Sequence, residues 1–104
     1  MFKAIILLTR RDDMSAAEFR EWWLSSHAPL ASQLPGLREL RFNVVSGDGS
    51  GYDGVSELWF DSREAFEQAY ATDLGRRVAE DSLAHVSRRE RLLVDEHVLP
   101  IAPS

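Results

Sequence analysis

The sequence predicts a single α+β domain whose elements follow the order β, α, β, β, α, β. Three observations predict this class. The chain has 104 residues, which fits one domain over residues 1–104 and leaves no room for a second. Apolar residues make up 44% of it, enough for a modest core. Strand-like and helix-like apolar patterns alternate in the order given, which is the ferredoxin-like arrangement.

The first strand, Phe2–Thr9, holds an unbroken apolar run, Ala4–Leu8, and ends at the charged residues 10–13. An unbroken apolar run is typical of a central strand that is covered on both faces. It is too short for a signal-peptide core or a membrane span, so we expect no membrane association.

The first helix begins at Ser15, where Glu18 three residues later completes a capping box. Pro29 interrupts the helix, and we expect a kink or break near residues 26–28. A proline and a glycine at 35–36 end the element. One face of this helix carries aromatic and apolar residues at spacings of three or four: Phe19, Trp23, His27, Leu30 and Leu34.

The second and third strands, Leu37–Val45 and Val55–Asp61, alternate between apolar and polar residues. The loop between them, 46–54, contains a G-x-G-x-x-G pattern. A dinucleotide site requires such glycines to leave a strand and open a helix, whereas here they join two strands. We therefore interpret the segment as a hairpin loop.

The second half of the chain predicts two helical pieces and a last strand. Asp61 and Ser62 cap the first piece, which ends near Tyr70. The second piece is expected at about Leu74–Val86, and the last strand at Leu92–Leu99, closed by a proline.

Both faces of the predicted sheet carry apolar side chains, although helices on one face can cover only that face. In the first strand Ala4, Ile6 and Leu8 oppose Ile5 and Leu7. A large exposed apolar surface normally marks an interaction site, and a symmetric second copy is the economical way to cover it. We expect a homodimer that packs sheet against sheet.

The composition excludes several functions. A net charge of −5 argues against nucleic acid as a partner. The absence of cysteine excludes disulfides, thiolate metal sites and iron–sulfur clusters, and is compatible with a cytoplasmic location. The histidines, His27, His85 and His97, lack the spacing of metal ligands. We predict neither a metal nor a cofactor.

The first candidate site surrounds His27. It lies one turn after Trp23 on the aromatic stripe, where Pro29 loosens the helix. A neutral histidine in apolar surroundings can accept or donate a proton near neutral pH. The alternative is a core histidine that bonds a backbone carbonyl.

The second candidate site combines two strand faces. Glu57 and Trp59 share a face of the third strand, and Arg41 and Asn43 share a face of the second. If these are the uncovered faces, the four side chains line the space that a partner encloses and could bind a small molecule. The alternative is an ion pair between Glu57 and Arg41 that neutralises a buried charge.

Four stretches of sequence make the chain resemble the EthD family. They are Thr9–Arg11 with Met14-Ser15 and Glu18-Phe19; Trp23 with Ser26–Pro29 and Leu34–Leu37; Asp53-Gly54 with Glu57–Ser62; and Asp81. The resemblance implies a ferredoxin-like protomer and a homodimer whose sheets form an α/β barrel. It also implies that His27 corresponds to the family's histidine. Relatives are cofactor-free small-molecule proteins, among them a methylmuconolactone isomerase and a protein needed for ethyl tert-butyl ether degradation. Many of them carry an aromatic residue near Leu40, where this chain departs from the pattern.

Residues and resemblance together lead to two function hypotheses. The first is a cofactor-independent isomerase or cyclase, or a cofactor-free oxidising enzyme, for an apolar cyclic or aromatic metabolite of secondary metabolism or catabolism. The rival is a non-catalytic dimer that binds such a metabolite for another enzyme. In the enzyme hypothesis His27 is the acid/base, and Asp81 or Glu57 orients it or holds charge. Arg41 and Asn43 stabilise an enolate or carbonyl oxygen. Trp23 and Trp59 contact the substrate.

Overall fold

A computed structural model describes residues 1–47 and 49–103. It confirms the α+β, ferredoxin-like fold: a four-stranded antiparallel sheet with helices on one face. The strands are β1 (Phe2–Arg10), β2 (Glu39–Val44), β3 (Gly54–Phe60) and β4 (Val86–Asp95). Their order across the sheet is β2-β3-β1-β4.

The helical segments are α1 (Ala16–Trp22), a π-helical turn (Trp23–His27), α2 (Ala28–Ala31), α3 (Arg63–Ala71) and α4 (Asp73–Leu83). The predicted capping box is present. The Ser15 hydroxyl accepts a hydrogen bond from the Glu18 amide at 3.1 Å, and the Glu18 carboxylate accepts one from the Ser15 amide at 2.9 Å. These two bonds satisfy amides that the first turn leaves unpaired.

The expected interruption of the first helix is the π-helical turn. The Ala28 amide donates to the carbonyl of Trp23, five residues earlier, and Pro29 brings no amide to continue an α-helical ladder. Both ends of the widened turn face the sheet, since the rings of Trp23 and His27 stack on Phe42 of β2, and the two residues are 0% and 6% exposed. Such turns are frequent at functional sites.

The core lies between the sheet and the helices. Its sheet side consists of alternate residues of β1 and β3, and its helix side of large apolar side chains. The sheet contributes Ala4, Ile6, Leu8, Leu58 and Phe60, and the helices contribute Phe19, Trp23, Phe66 and Val78. On β2 the predicted alternation is confirmed, since Leu40, Phe42 and Val44 pack against this core.

The prediction for the end of the chain was wrong. The strand expected at Leu92–Leu99 is β4, which pairs with β1 from Val86 to Asp95, and α4 ends before residue 86. The physical reason lies in Arg89 and Arg91. They occupy positions that face the helices, so β4 shows no apolar alternation in its first half, while the apolar residues after it are exposed.

Candidate functional site

His27 lies in the core side of the sheet and bonds a carboxylate. Its Nδ1 is 2.8 Å from Oδ2 of Asp81 on α4. Because a carboxylate only accepts hydrogen bonds, Nδ1 carries the proton and donates it, and Nε2 is left as an acceptor. The hydrogen bonds of the described residues give Nε2 no partner. The bonded group is therefore a carboxylate and not the backbone carbonyl of the alternative interpretation.

Asp81 is held from two further directions. The Trp22 indole nitrogen lies 3.4 Å from Oδ1 of Asp81. The Trp22 ring stacks on His85, with centroids 4.2 Å apart, and Nδ1 of His85 donates to the Asp81 carbonyl at 2.7 Å. The Trp22 bond holds the carboxylate that orients the His27 ring, and the His85 bond holds the backbone of Asp81. Such second partners set the tautomer of a functional histidine.

The electrostatics of His27 favour the neutral ring. Burial lowers the pKa of His27 below its ordinary value, and the hydrogen bond to Asp81 only partly opposes this. At neutral pH the ring is uncharged, so Nε2 can accept a proton. The imidazolium that forms would then lie against the Asp81 carboxylate.

Aromatic rings surround this pair. Trp23 stacks on Phe42 with centroids 4.4 Å apart, and His27 lies 6.0 Å from Phe42 and 5.0 Å from Trp22. Trp23 is fully buried against Gly54 of β3. Its indole nitrogen is enclosed and has no acceptor among the described residues. The surroundings of the His27–Asp81 pair are therefore mostly aromatic and apolar, with few polar atoms, a composition that is common in small-molecule sites.

Arg89 is a member of this neighbourhood that sequence reasoning missed. It lies on the helix-facing side of β4, and its charge contributes to the low pKa of His27. Its Nε is enclosed and has no partner among the described residues. A helix-facing arginine becomes visible in the sequence only once the register of β4 is known, and β4 begins at Val86, six residues before the predicted start at Leu92.

The remaining predicted residues lie on the opposite, uncovered face of the sheet. Glu57 and Trp59 of β3 and Arg41 and Asn43 of β2 alternate with the residues that pack in the core. The sheet itself therefore separates them from His27. The structure brings Asp81 to His27, and it does not bring Glu57 there.

On the uncovered face Glu57 belongs to an ion network. It lies 3.0 Å from Nζ of Lys3, which lies 2.8 Å from Glu96, and Asn43 donates to Glu57 at 3.1 Å. Partial burial would raise the pKa of Glu57, but the bonds from Lys3 and Asn43 outweigh it and hold that pKa low. The alternative interpretation, a Glu57–Arg41 ion pair, is wrong: Arg41 pairs with Glu39 at 3.0 Å, and Glu57 pairs with Lys3 on β1 at 3.0 Å.

Trp59 completes this network. Its indole nitrogen donates to Glu96 at 2.6 Å, and the guanidinium of Arg41 lies over its ring at 5.1 Å. Sequence reasoning placed Arg41, Asn43, Glu57 and Trp59 on shared faces but did not include Lys3 and Glu96, because the pairing of β1 with β3 was not specified. The group is a second, separate polar cluster.

Within residues 1–47 and 49–103 no three histidine, aspartate or glutamate side chains are placed to hold a metal ion. In the same ranges no helix is long and apolar enough to span a bilayer.

The fold and the site define a class: a ferredoxin-like α+β protein with a buried histidine–carboxylate pair between its sheet and its helices. The EthD domain family matches residues 11–88, three quarters of the chain. The chain belongs to the EthD family. The comparison with curated proteins found no match.

Solved structures share the fold. An ethyl tert-butyl ether degradation (EthD) family protein from Bacillus halodurans is 27% identical, with a TM-score of 0.83 over 93% of this chain and 99% of that one. A dimeric ferredoxin-like protein of unknown function from Thermobifida fusca is 17% identical, with a TM-score of 0.74 over 89% and 88%. SnoaB, a cofactor-independent oxygenase from Streptomyces nogalater, is 20% identical, with a TM-score of 0.69 over 96% and 97%.

Proposed function

We propose that the protein is a cofactor-independent enzyme that moves a proton on a small, apolar, cyclic or aromatic molecule. The observation that carries the proposal is the His27–Asp81 pair, joined at 2.8 Å, with Nε2 of His27 free and aromatic rings around it. A base whose pKa lies below neutrality and whose partner stabilises its cation is suited to general acid–base catalysis.

The expected chemistry begins with Nε2 of His27 removing a proton from a carbon beside a carbonyl group. Asp81 stabilises the imidazolium, and the substrate carries the negative charge as an enolate. Return of the same proton to a different carbon gives isomerisation, and ring closure before its return gives cyclisation. Neither sequence consumes a co-reactant.

A cofactor-free oxidation is the second candidate, and one comparison favours it. SnoaB, which shares the fold, is described as a cofactor-independent oxygenase. In such a reaction the enolate formed at His27 would react with dioxygen. The proton transfer to His27 is common to both candidates, so it is the step to measure.

We further propose that the protein works as a homodimer joined through the uncovered face of the sheet, and that it acts in the cytoplasm. Ile5, Leu7 and Val55 lie on that face with Trp59, and Leu92 there is half exposed. In this dimer Arg41, Asn43, Glu57 and Trp59 would contact a ligand held between the two sheets, a role that stays a prediction.

The test is proton exchange catalysed by the protein in D2O. Lactones and aromatic polyketide-like ketones with an acidic C–H would be followed by NMR for deuterium incorporation, with wild type, His27→Gln and His97→Gln. We expect wild type to accelerate exchange of at least one compound and His27→Gln to lower that rate about 100-fold or more. His97 is exposed, so His97→Gln should keep the wild-type rate.

An exchange rate in His27→Gln equal to that of wild type would contradict the proposal. Binding of a compound to wild type without exchange or conversion would instead favour the rival hypothesis, a dimer that carries the metabolite for another enzyme.

A further inference from the structure

Arg89 carries a charge that the protein itself does not neutralise. It pairs across the sheet with Leu8, one of the most buried residues, and so faces the helices. Its Nε is enclosed and has no hydrogen-bond acceptor, and among the described residues no carboxylate forms an ion pair with its guanidinium. Arg89 as a whole is half-buried, and a half-buried cation without a counter-charge is unfavourable for a folded protein, so its presence requires a reason.

The groups beside Arg89 do not supply a counter-charge. The hydroxyl of Tyr70 on α3 lies beside its guanidinium, but burial raises the pKa of Tyr70, so the phenol stays neutral. Arg91, the next residue on the same side of β4, adds a second positive charge. His27 is neutral and also lies within the field of Arg89. The positive charge is therefore uncompensated near His27, the proposed base.

Trp23 adds a second orphan donor of the same kind. Its indole nitrogen and Nε of Arg89 are the enclosed side-chain polar atoms without a partner in residues 1–47 and 49–103. Trp23 packs on Gly54, and Gly54, Leu8 and Arg89 form one row across three strands. The ends of that row are about 10 Å apart. Both of these nitrogens are hydrogen-bond donors without an acceptor, so a ligand that satisfies them must offer hydrogen-bond acceptors.

We propose that Arg89 is the anion-binding group of the His27 site and that the ligand is a cyclic or aromatic carboxylate. A guanidinium presents its donors in a fixed plane that matches the two oxygens of a carboxylate. The ring of the ligand would lie among the aromatic side chains, with its carboxylate on Arg89 and its acidic C–H toward His27. The assignment of the C–H rests on the proposed function, whereas the assignment of the anion does not.

The experiment compares two probes that differ only in charge, 2-naphthoate and 2-naphthamide. Their dissociation constants would be measured by calorimetry with wild type, Arg89→Gln, Arg89→Lys and Arg91→Gln. Arg91 is the matched control, because it lies two residues away on the same face but is exposed and packs over the Phe66 ring at 5.3 Å. Far-UV circular dichroism would confirm that each variant is folded.

We expect wild type to bind 2-naphthoate at least about 10-fold more tightly than 2-naphthamide. Arg89→Gln should bring the two affinities to equality, and Arg89→Lys should keep part of the preference. Arg91→Gln removes only the weaker field of an exposed charge and should keep most of it. The assignment would be overturned if wild type bound the two probes equally or bound neither. It would also be overturned if Arg89→Gln still bound 2-naphthoate more tightly than 2-naphthamide.

A second readout requires no ligand. Removal of an unpaired, half-buried charge should raise the melting temperature of the ligand-free protein by about 4 °C in Arg89→Met. The melting temperature of Arg91→Met should stay at the wild-type value. Earlier melting of Arg89→Met would show that the guanidinium supports the fold, and would count against an anion site. His27→Gln should keep the 2-naphthoate preference, so loss of proton exchange and loss of anion binding report separately on the two proposals.

Discussion

At the scale of the residue, the state of His27 depends on two opposing effects. Burial disfavours the charged ring, and the Asp81 carboxylate 2.8 Å away favours it. Burial is the larger effect, and the pKa of His27 falls. A histidine whose only role were to form a salt bridge would show the reverse balance, so the direction itself agrees with a base that must start neutral.

The low pKa of His27 predicts a pH dependence of stability. The unfolded chain binds a proton at His27 below a pH of about 6.5, while the folded protein binds it only at lower pH. Between these two pKa values the unfolded state holds more protons, so stability falls as pH decreases through that window and is recovered above it. Melting temperatures of wild type and His27→Gln between pH 5 and 8 measure this contribution as their difference.

His97→Gln is the control for that measurement, because His97 is exposed and its salt-bridge partner is the equally exposed Asp95 at 3.3 Å. Its melting curve should follow wild type at each pH. The melting temperature of wild type minus that of His27→Gln should increase as pH rises from 5 to 8, and this increase would agree with the low pKa of His27. A decrease in that difference with rising pH would mean that the Asp81 carboxylate outweighs burial and that His27 is charged in the folded protein.

At the scale of the element, the packing of the π-helical turn on β3 depends on a missing side chain. A Cβ at Gly54 would lie 2.6 Å from Cη2 of Trp23, which is too close for any carbon pair. Gly54→Ala should therefore destabilise the protein, by about 1–3 kcal/mol, because the buried indole must shift. Trp23→Phe removes the atoms that collide, so the Gly54→Ala change should cost less in that background.

Chemical denaturation of the two single variants and the double variant gives the coupling energy directly. A favourable coupling would establish that the indole sets the need for glycine. Additive effects would place the cause in the backbone of β3, outside the contact with Trp23.

The helices and strands also show which structural features could be predicted from the sequence. The capping box at Ser15, the break before Pro29 and the alternation of β2 follow from local rules, and all three are confirmed. The position of β4 does not follow from local rules, because Arg89 and Arg91 occupy its helix-facing positions and only the pairing with β1 reveals this. Likewise, the sequence left Asp81 and Glu57 as alternative partners of His27, and only the structure brings Asp81 to it, whereas Arg89 and Lys3 required the register of the sheet.

At the scale of the whole molecule, the sheet has one face covered by helices and one that is not. The uncovered face holds the network of Lys3, Glu57 and Glu96, whose bonds raise the pKa of Lys3 and lower that of Glu96. Apolar residues surround this network, among them Ile5 and Leu92. A polar cluster that is already paired within its own protomer can be covered by a partner without leaving an unpaired charge.

The proposed homodimer is tested by a charge placed on that face. Leu92 pairs with Ile5 on β1 and is 50% exposed, while Leu83 at the end of α4 is 58% exposed on the helix side. We expect wild type to have twice the protomer mass by light scattering with size-exclusion chromatography. Leu92→Glu should shift it to the monomer, because a carboxylate would be buried without a partner, and Leu83→Glu should leave the dimer intact. A monomeric wild type would show that this interface does not form. A dimer that only Leu83→Glu disrupts would place the interface on the helix side.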